Sequence, residues 1–171
     1  MIDSRASILF LIPSLQVGGA ERVIVNLLRH LDRRKFHLIL GIVDTRDAVL
    51  AKDVPGDVEV VDLNCSRVRY AMPKVMSLVW KRKPNVVFST LGHLNLAVAI
   101  LRPLLPNGVR YIARETIIVS MLSSAYSIPF WWGWAYRRFY GRYDTVICQS
   151  QDMRNDLIEN FGLSQNKAVV I

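Results

Sequence analysis

The chain has 171 residues, 51% of them apolar, and a formal net charge of +8. That length suits one domain able to bury roughly 70% of the surface its unfolded form exposes, and the apolar share excludes a disordered chain. Two cysteines, Cys65 and Cys148, exclude a disulfide framework, and no run reaches the ~18 uninterrupted apolar residues of a membrane-spanning helix.

The basic excess points to an anionic partner: a sugar nucleotide, a nucleic acid or an anionic membrane surface. Its clusters, Arg29–Lys35, Lys81–Lys83 and Arg137–Arg142, are scattered over several elements with no recognition motif, which argues against nucleic acid. Asp3 precedes only a short apolar run, without a signal-peptide pattern. Free thiols and this N-terminus suit the cytoplasm.

In chain order, the apolar run Ile8 to Ile12 predicts a strand stopping at Pro13. A loop reaches the pair Gly18-Gly19, and apolar residues then recur at Val23, Leu27, Leu28 and Leu31, the spacing of one helix face. Phe36 to Val43 reads as a strand ending at Asp44, 47–53 as a short helix, and Val58 to Leu63 as a third strand. Val68 to Lys83 has helical spacing, with Pro73 tolerable only near its start. Asn85 to Ser89 is a buried strand followed by a loop through His93, and Leu94 to Leu105 is an apolar helix. Val109 to Ala113 and Asp144 to Cys148 are further strands. Ser150 reads as the N-cap and Gly162 as the C-cap glycine of a helix over Gln151 to Phe161, and Lys167 to Ile171 starts a final strand.

Repeated strand–helix units with buried apolar strands predict an α/β, Rossmann-like three-layer domain with a mostly parallel sheet. Ligands of such sheets bind beyond the C-terminal ends of the strands, here Pro13–Gly19, Ser89–His93, Arg114–Thr116 and Gln149–Ser150. The Gly18-Gly19 turn opens a helix whose N-terminus favours an anion; a tight turn without a ligand explains it equally. It spells neither G-x-G-x-x-G nor a P-loop. Glu21 suits the first helical turn by its charge alone. His93 is a candidate hydroxyl partner or base, or a structural histidine. Arg114 is a candidate phosphate ligand and Glu115 a candidate acceptor from a sugar hydroxyl, unless the two form an internal ion pair. Asp44 invites comparison with a ribose-binding acid, or is a solvated strand end. The aromatic and basic stretch 128–143 suits a membrane interface, or a helix packing its rings into the core. No spacing suggests a metal site.

LIPSLQVGGAERVIVNLLRHL, PNVVFSTLGHLNLAVAI, VRYIARET and YDTVICQSQDMRNDLIENFG together resemble the N-terminal half of retaining, nucleotide-sugar-dependent glycosyltransferases of family 4. The resemblance implies one Rossmann-like half of a GT-B fold, with residues 1–171 as the acceptor-side domain. It implies a nucleoside diphosphate sugar as donor substrate, no other cofactor, and a glycan or lipid-linked acceptor in surface-polysaccharide assembly, at the inner face of the plasma membrane. Gly18 and Gly19 inherit a place near the donor diphosphate. Asn95 and His93 inherit one in the cleft, and Glu21, Arg114 and Ser150 join as substrate-binding candidates. His93 and Glu115 are the candidates for catalysis, orienting hydroxyls. Where many members carry a histidine after the fifth strand, Arg114-Glu115 stand here. The family's pair of glutamates eight positions apart is absent: Glu21, Glu59, Glu115 and Glu159 include no such spacing. A donor-binding C-terminal domain is therefore expected outside these residues, and the chain alone is expected to be inactive. A nucleotide-binding module without transferase activity is the rival reading.

Overall fold

The computed structural model describes residues 5–121 and 131–171. Seven strands form one parallel sheet in the order β3-β2-β1-β4-β5-β6-β7. They are β1 (Ala6–Ser14), β2 (Phe36–Asp44), β3 (Glu59–Asp62), β4 (Val86–Thr90), β5 (Arg110–Arg114), β6 (Thr145–Cys148) and β7 (Ala168–Val170). The helices are α1 (Gly19–His30), α2 (Val68–Arg82), α3 (Gly92–Leu101), α4 (Trp131–Phe139) and α5 (Gln151–Phe161).

Two apolar clusters, one per sheet face, make three layers. Phe10, Ile12, Leu40 and Ile42 pack with Ile24, Val25 and Leu28 of α1. Leu9, Leu11, Ile39 and Val87 point the other way, into a larger cluster with α2, α3, α4 and α5. Alternate residues of one strand thus feed opposite cores, which is why the central strands read as unbroken apolar runs.

Some boundaries differ from the sequence expectation. β1 runs through Pro13 to Ser14, because its pairing with β4 ends at Leu11↔Ser89 and leaves only β2 as a neighbour; a missing N–H is tolerated at such an edge. The short helix before Pro55 is a 3-10 turn, Val49–Asp53. The apolar helix after β4 starts at Gly92 rather than Leu94, so His93 lies in its first turn, not in a loop. Ser150 caps α5 by accepting from the Met153 amide (3.2 Å), and Gly162 closes it at φ 70°, a left-handed position suited to glycine.

Of the aromatic stretch, residues 128–130 lie outside the described residues. Tyr136, Tyr140 and Tyr143 are core, stacked and tilted against one another, as the core-packing alternative expects for these three rings. Trp131, Trp134, Arg137 and Arg138 stay exposed. No helix among the described residues is long and apolar enough to cross a membrane, and they contain no group of three metal-binding side chains.

Candidate functional site

The C-terminal ends of the strands form one rim, and the chain reverses its direction of travel across the sheet between β1 and β4, where such sheets open a crevice. A cleft of about 300 Å³ opens there, lined by Pro13, Ser14, Gln16, Asp44, Arg67 and His93 among others. It brings β1, β2, the start of α2 and the start of α3 together. Gln16 carries its wall to within two residues of Gly18. The glycine turn, His93 and Arg114 thus share an edge of the sheet.

Gly18 is the N-cap of α1, and no side chain caps that helix. The Glu21 carboxylate folds back over Gly18, where a Cβ would collide with it. Gly19 has nothing within 4 Å of its Cβ position, so no protein atom requires a glycine there. Glu21 thus compensates the positive end of α1, whereas α2 and α3 start without side-chain caps and without an acid in the first turn. Two helix N-termini of uncompensated positive character therefore border the cleft.

His93 is exposed on the cleft wall, and the protein around it holds its pKa below the ordinary histidine value by desolvation. Leu91, just before α3, takes φ 72° and ψ 124°. A branched aliphatic residue seldom adopts this geometry, and here it sets the elbow that presents Gly92 and His93. Asp44, the ribose candidate, lines the cleft but is held by the Arg46 guanidinium (2.6 Å), whose hydrogen bonds pull its carboxyl down to about 2.

Glu115 and Asn95 are not rim residues in this structure; both are fully buried behind the start of α3. Glu115 Oε1 accepts from Tyr136 Oη (3.3 Å), Tyr140 Oη and Asn95 Nδ2 (3.2 Å). Among the described residues its Oε2 has no partner. Burial pushes the carboxyl above the usual range, while the bonds from Tyr140, Asn95 and Tyr136 pull in the opposite direction. The physical reason for the burial is local. Odd-numbered residues of β5 face the large core, and Glu115 continues that alternation one step past Ala113. So arranged, Glu115 and Asn95 position α3, whereas His93 is open to a ligand.

Arg114 shares no ion pair with Glu115, because neighbouring residues of a strand point to opposite faces. It lies on the α1 face, in register with Thr90 and Ile147. It is only 7% exposed, its Nη1 is buried without a partner among the described residues, and desolvation lowers its pKa. Two strand spacings, roughly 10 Å, separate β5 from β1, whose end leads into the glycine turn.

Ser66 and Arg67 line the cleft but were not foreseen. The strand-end rule that selected the other residues points to them too, since they follow β3 and open α2. Ser150 is accounted for as a cap, and the structure leaves Glu21 beside Gly18.

Solved structures of similar fold include a glycosyltransferase from Rickettsia africae, at 18% identity and TM-score 0.69, covering 98% of this chain and 43% of that one. Anabaena HepE in complex with UDP-glucose aligns at 18% identity and TM-score 0.67, covering 96% of this chain and 43% of that one. UDP-GlcNAc 2-epimerase from Methanocaldococcus jannaschii aligns at 15% identity and TM-score 0.61, with 98% and 45% covered. At these identities the likeness establishes the fold, and the chain spans less than half the length of each neighbour. No curated protein matches it by sequence. Residues 17–171 match the sequence family described as Glycosyltransferase Family 4, and the chain belongs to that family.

Proposed function

We propose that this chain is the acceptor-side domain of a retaining glycosyltransferase that moves a sugar from a nucleoside diphosphate sugar to a hydroxyl acceptor of a surface glycan. A second, donor-binding domain completes the cleft, and the protein works at the cytoplasmic face of a membrane. The observation that carries this reading is Arg114, on the face of the glycine turn, whose Nη1 is buried without a partner among the described residues. A buried cation without an anion is unfavourable, and the start of α1 at Gly18 and Gly19 favours the same kind of ligand once the Glu21 carboxylate that lies over Gly18 turns aside. A diphosphate satisfies both. The family and the neighbour solved with UDP-glucose support that choice.

In this reading the acceptor oxygen bonds to the anomeric carbon as that carbon's bond to the β-phosphate oxygen breaks. With retention, both events occur on one face of the sugar, so the departing phosphate oxygen is the base nearest the acceptor proton. Arg114 and the glycine amides stabilise the charge developing on the diphosphate. His93, across the cleft, orients the hydroxyls.

The test is an NMR titration of the isotope-labelled chain with UDP. A half-site is expected to bind at about 1 mM, shifting Gly18, Gly19 and the Arg114 side chain, with Arg114→Gln losing the response. Resonances unmoved up to about 10 mM UDP defeat the proposal.

A further inference from the structure

The two glycines that open α1 meet different constraints. Gly18 has an extended backbone, φ −158° and ψ 164°, that any residue adopts. What bars a side chain there is the chain's own Glu21. Its Cδ lies 3.0 Å and its Oε1 3.4 Å from the position of a Cβ, with Oε2 closer still. At Gly19 the same space is empty. Glycine is a poor helix former, so an open approach to the backbone is the use left for it. The first intrahelical bond of α1 runs from the Arg22 amide to the Gly18 carbonyl (3.1 Å), which leaves the Gly19, Ala20 and Glu21 amides without helical partners.

Glu21 is half-buried, and among the described residues its carboxylate forms no ion pair and no hydrogen bond. A carboxylate so placed holds to the start of its helix through the dipole, an attraction that a stronger anion overcomes. A stronger anion has a further partner on this face: Arg114, 7% exposed, keeps Nη1 buried without a partner among the described residues. Glu21 does not pair with it.

Resting on the transferase reading above, we infer that Glu21 is a built-in competitor for the diphosphate. Its carboxylate lies over Gly18 while the site is empty, swings out when a diphosphate binds, and returns as that group leaves. The two anions do not share the spot, because like charges at contact repel. The competition weakens the hold on donor and on nucleoside diphosphate product alike. It thereby eases release of the product, a step that often limits turnover. The ordinary role of a glutamate in a first helical turn is support of its own helix. In that role its removal would cost stability and leave the binding of anions unchanged.

The experiment titrates the isotope-labelled chain with UDP and with inorganic pyrophosphate, following the Gly18 and Gly19 amides and the Glu21 carboxyl carbon by NMR. In the parent the Glu21 carbon is expected to move in step with the two amides. Glu21→Gln is expected to bind both ligands roughly two- to fivefold tighter, the range set by one charge at a helix end, with the gain appearing as slower dissociation. Asp152→Asn removes the same charge from the first turn of α5 and is expected to leave both affinities unchanged. Glu21→Gln binding no tighter than the parent overturns the inference and leaves the transferase reading standing. An equal gain from Asp152→Asn overturns it too, as an effect of net charge alone. A Glu21 carboxyl carbon unmoved at saturation does the same without any substitution. Where pyrophosphate shows the gain but UDP moves neither glycine, the Glu21 assignment is upheld and the transferase reading fails.

Discussion

Gly92 is the position at which the buried network behind α3 is most directly open to test. Its backbone needs no glycine: among the described residues, Gly108 and Gly162 are the glycines with positive φ. Space is the constraint. A Cβ at Gly92 would sit 2.6 Å from Tyr136 Oη and 3.6 Å from Glu115 Oε2. Tyr136 is fully buried, stacked on Tyr140 at 4.5 Å between ring centroids and bonded to Glu115, so its hydroxyl cannot swing away. Overpacking of this kind costs about 1–3 kcal/mol. Alanine recovers at most about 1 kcal/mol of helix propensity, and less at a helix start. Gly92→Ala should therefore destabilise the domain by about 1–2 kcal/mol, lowering Tm by roughly 2–8 °C in a protein of this size. Tyr136→Phe removes the clashing oxygen and one hydrogen bond, and alone costs about 0.5–1.5 kcal/mol. The double variant should be less damaged than the sum, with a coupling of about 1 kcal/mol or more. Urea denaturation of the four proteins measures the cycle. If Gly92→Ala is as stable as the parent, or the two changes add, the Tyr136 hydroxyl does not constrain the start of α3, and the positioning role given to the network fails.

Two titrations probe the neighbouring charges. The Glu115 pKa is raised by burial in the folded state. The folded protein therefore binds the extra proton, and stability is lost as pH rises from the model-peptide value of 4.5 towards the raised one. Glu115→Gln should lack this loss, so its urea midpoint should gain on the parent as pH rises above 4.5; parallel profiles would show that Glu115 does not titrate upward. His93 has the opposite linkage. Its lowered pKa means the folded state resists protonation, so its contribution falls as pH drops below 6.5. Its imidazole should titrate below 6.5 in the free chain and rise when an anionic ligand enters the cleft. A free-chain value at or above 6.5 contradicts the desolvated setting.

The order of strands and helices was readable because each carries its own signal: apolar runs for the strands, 3.6-residue spacing for the helices, Ser150 and Gly162 for the ends of α5. The three core tyrosines had such a signal too, since Tyr136, Tyr140 and Tyr143 recur at helical spacing. The interleaved Arg137, Arg138 and Arg142 left the interfacial and core-packing readings equally open. Glu115 was not readable. Its burial depends on Tyr136 and Tyr140, more than twenty residues further on, and on a sheet face known only once the register is known. Arg114 and Glu115, adjacent in sequence, go to opposite faces and different chemistry, a separation that strand alternation implies but that a charged pair disguises. The start of α3 was misplaced because Leu91 takes a conformation that leucine rarely adopts, and His93 moved with it.

The first strand, β1, has consequences during synthesis. β1 is held on one side by β2 and on the other by β4, and Ser7 meets Asn85 across 78 residues of chain. At roughly 5–20 residues per second, a ribosome needs about 4–16 s to make that interval. Through that time Leu9, Phe10 and Leu11 present an unpaired apolar edge beside a partly built sheet. A nascent chain halted before Asn85 should therefore be markedly more prone to chaperone capture and aggregation than one halted after Thr90.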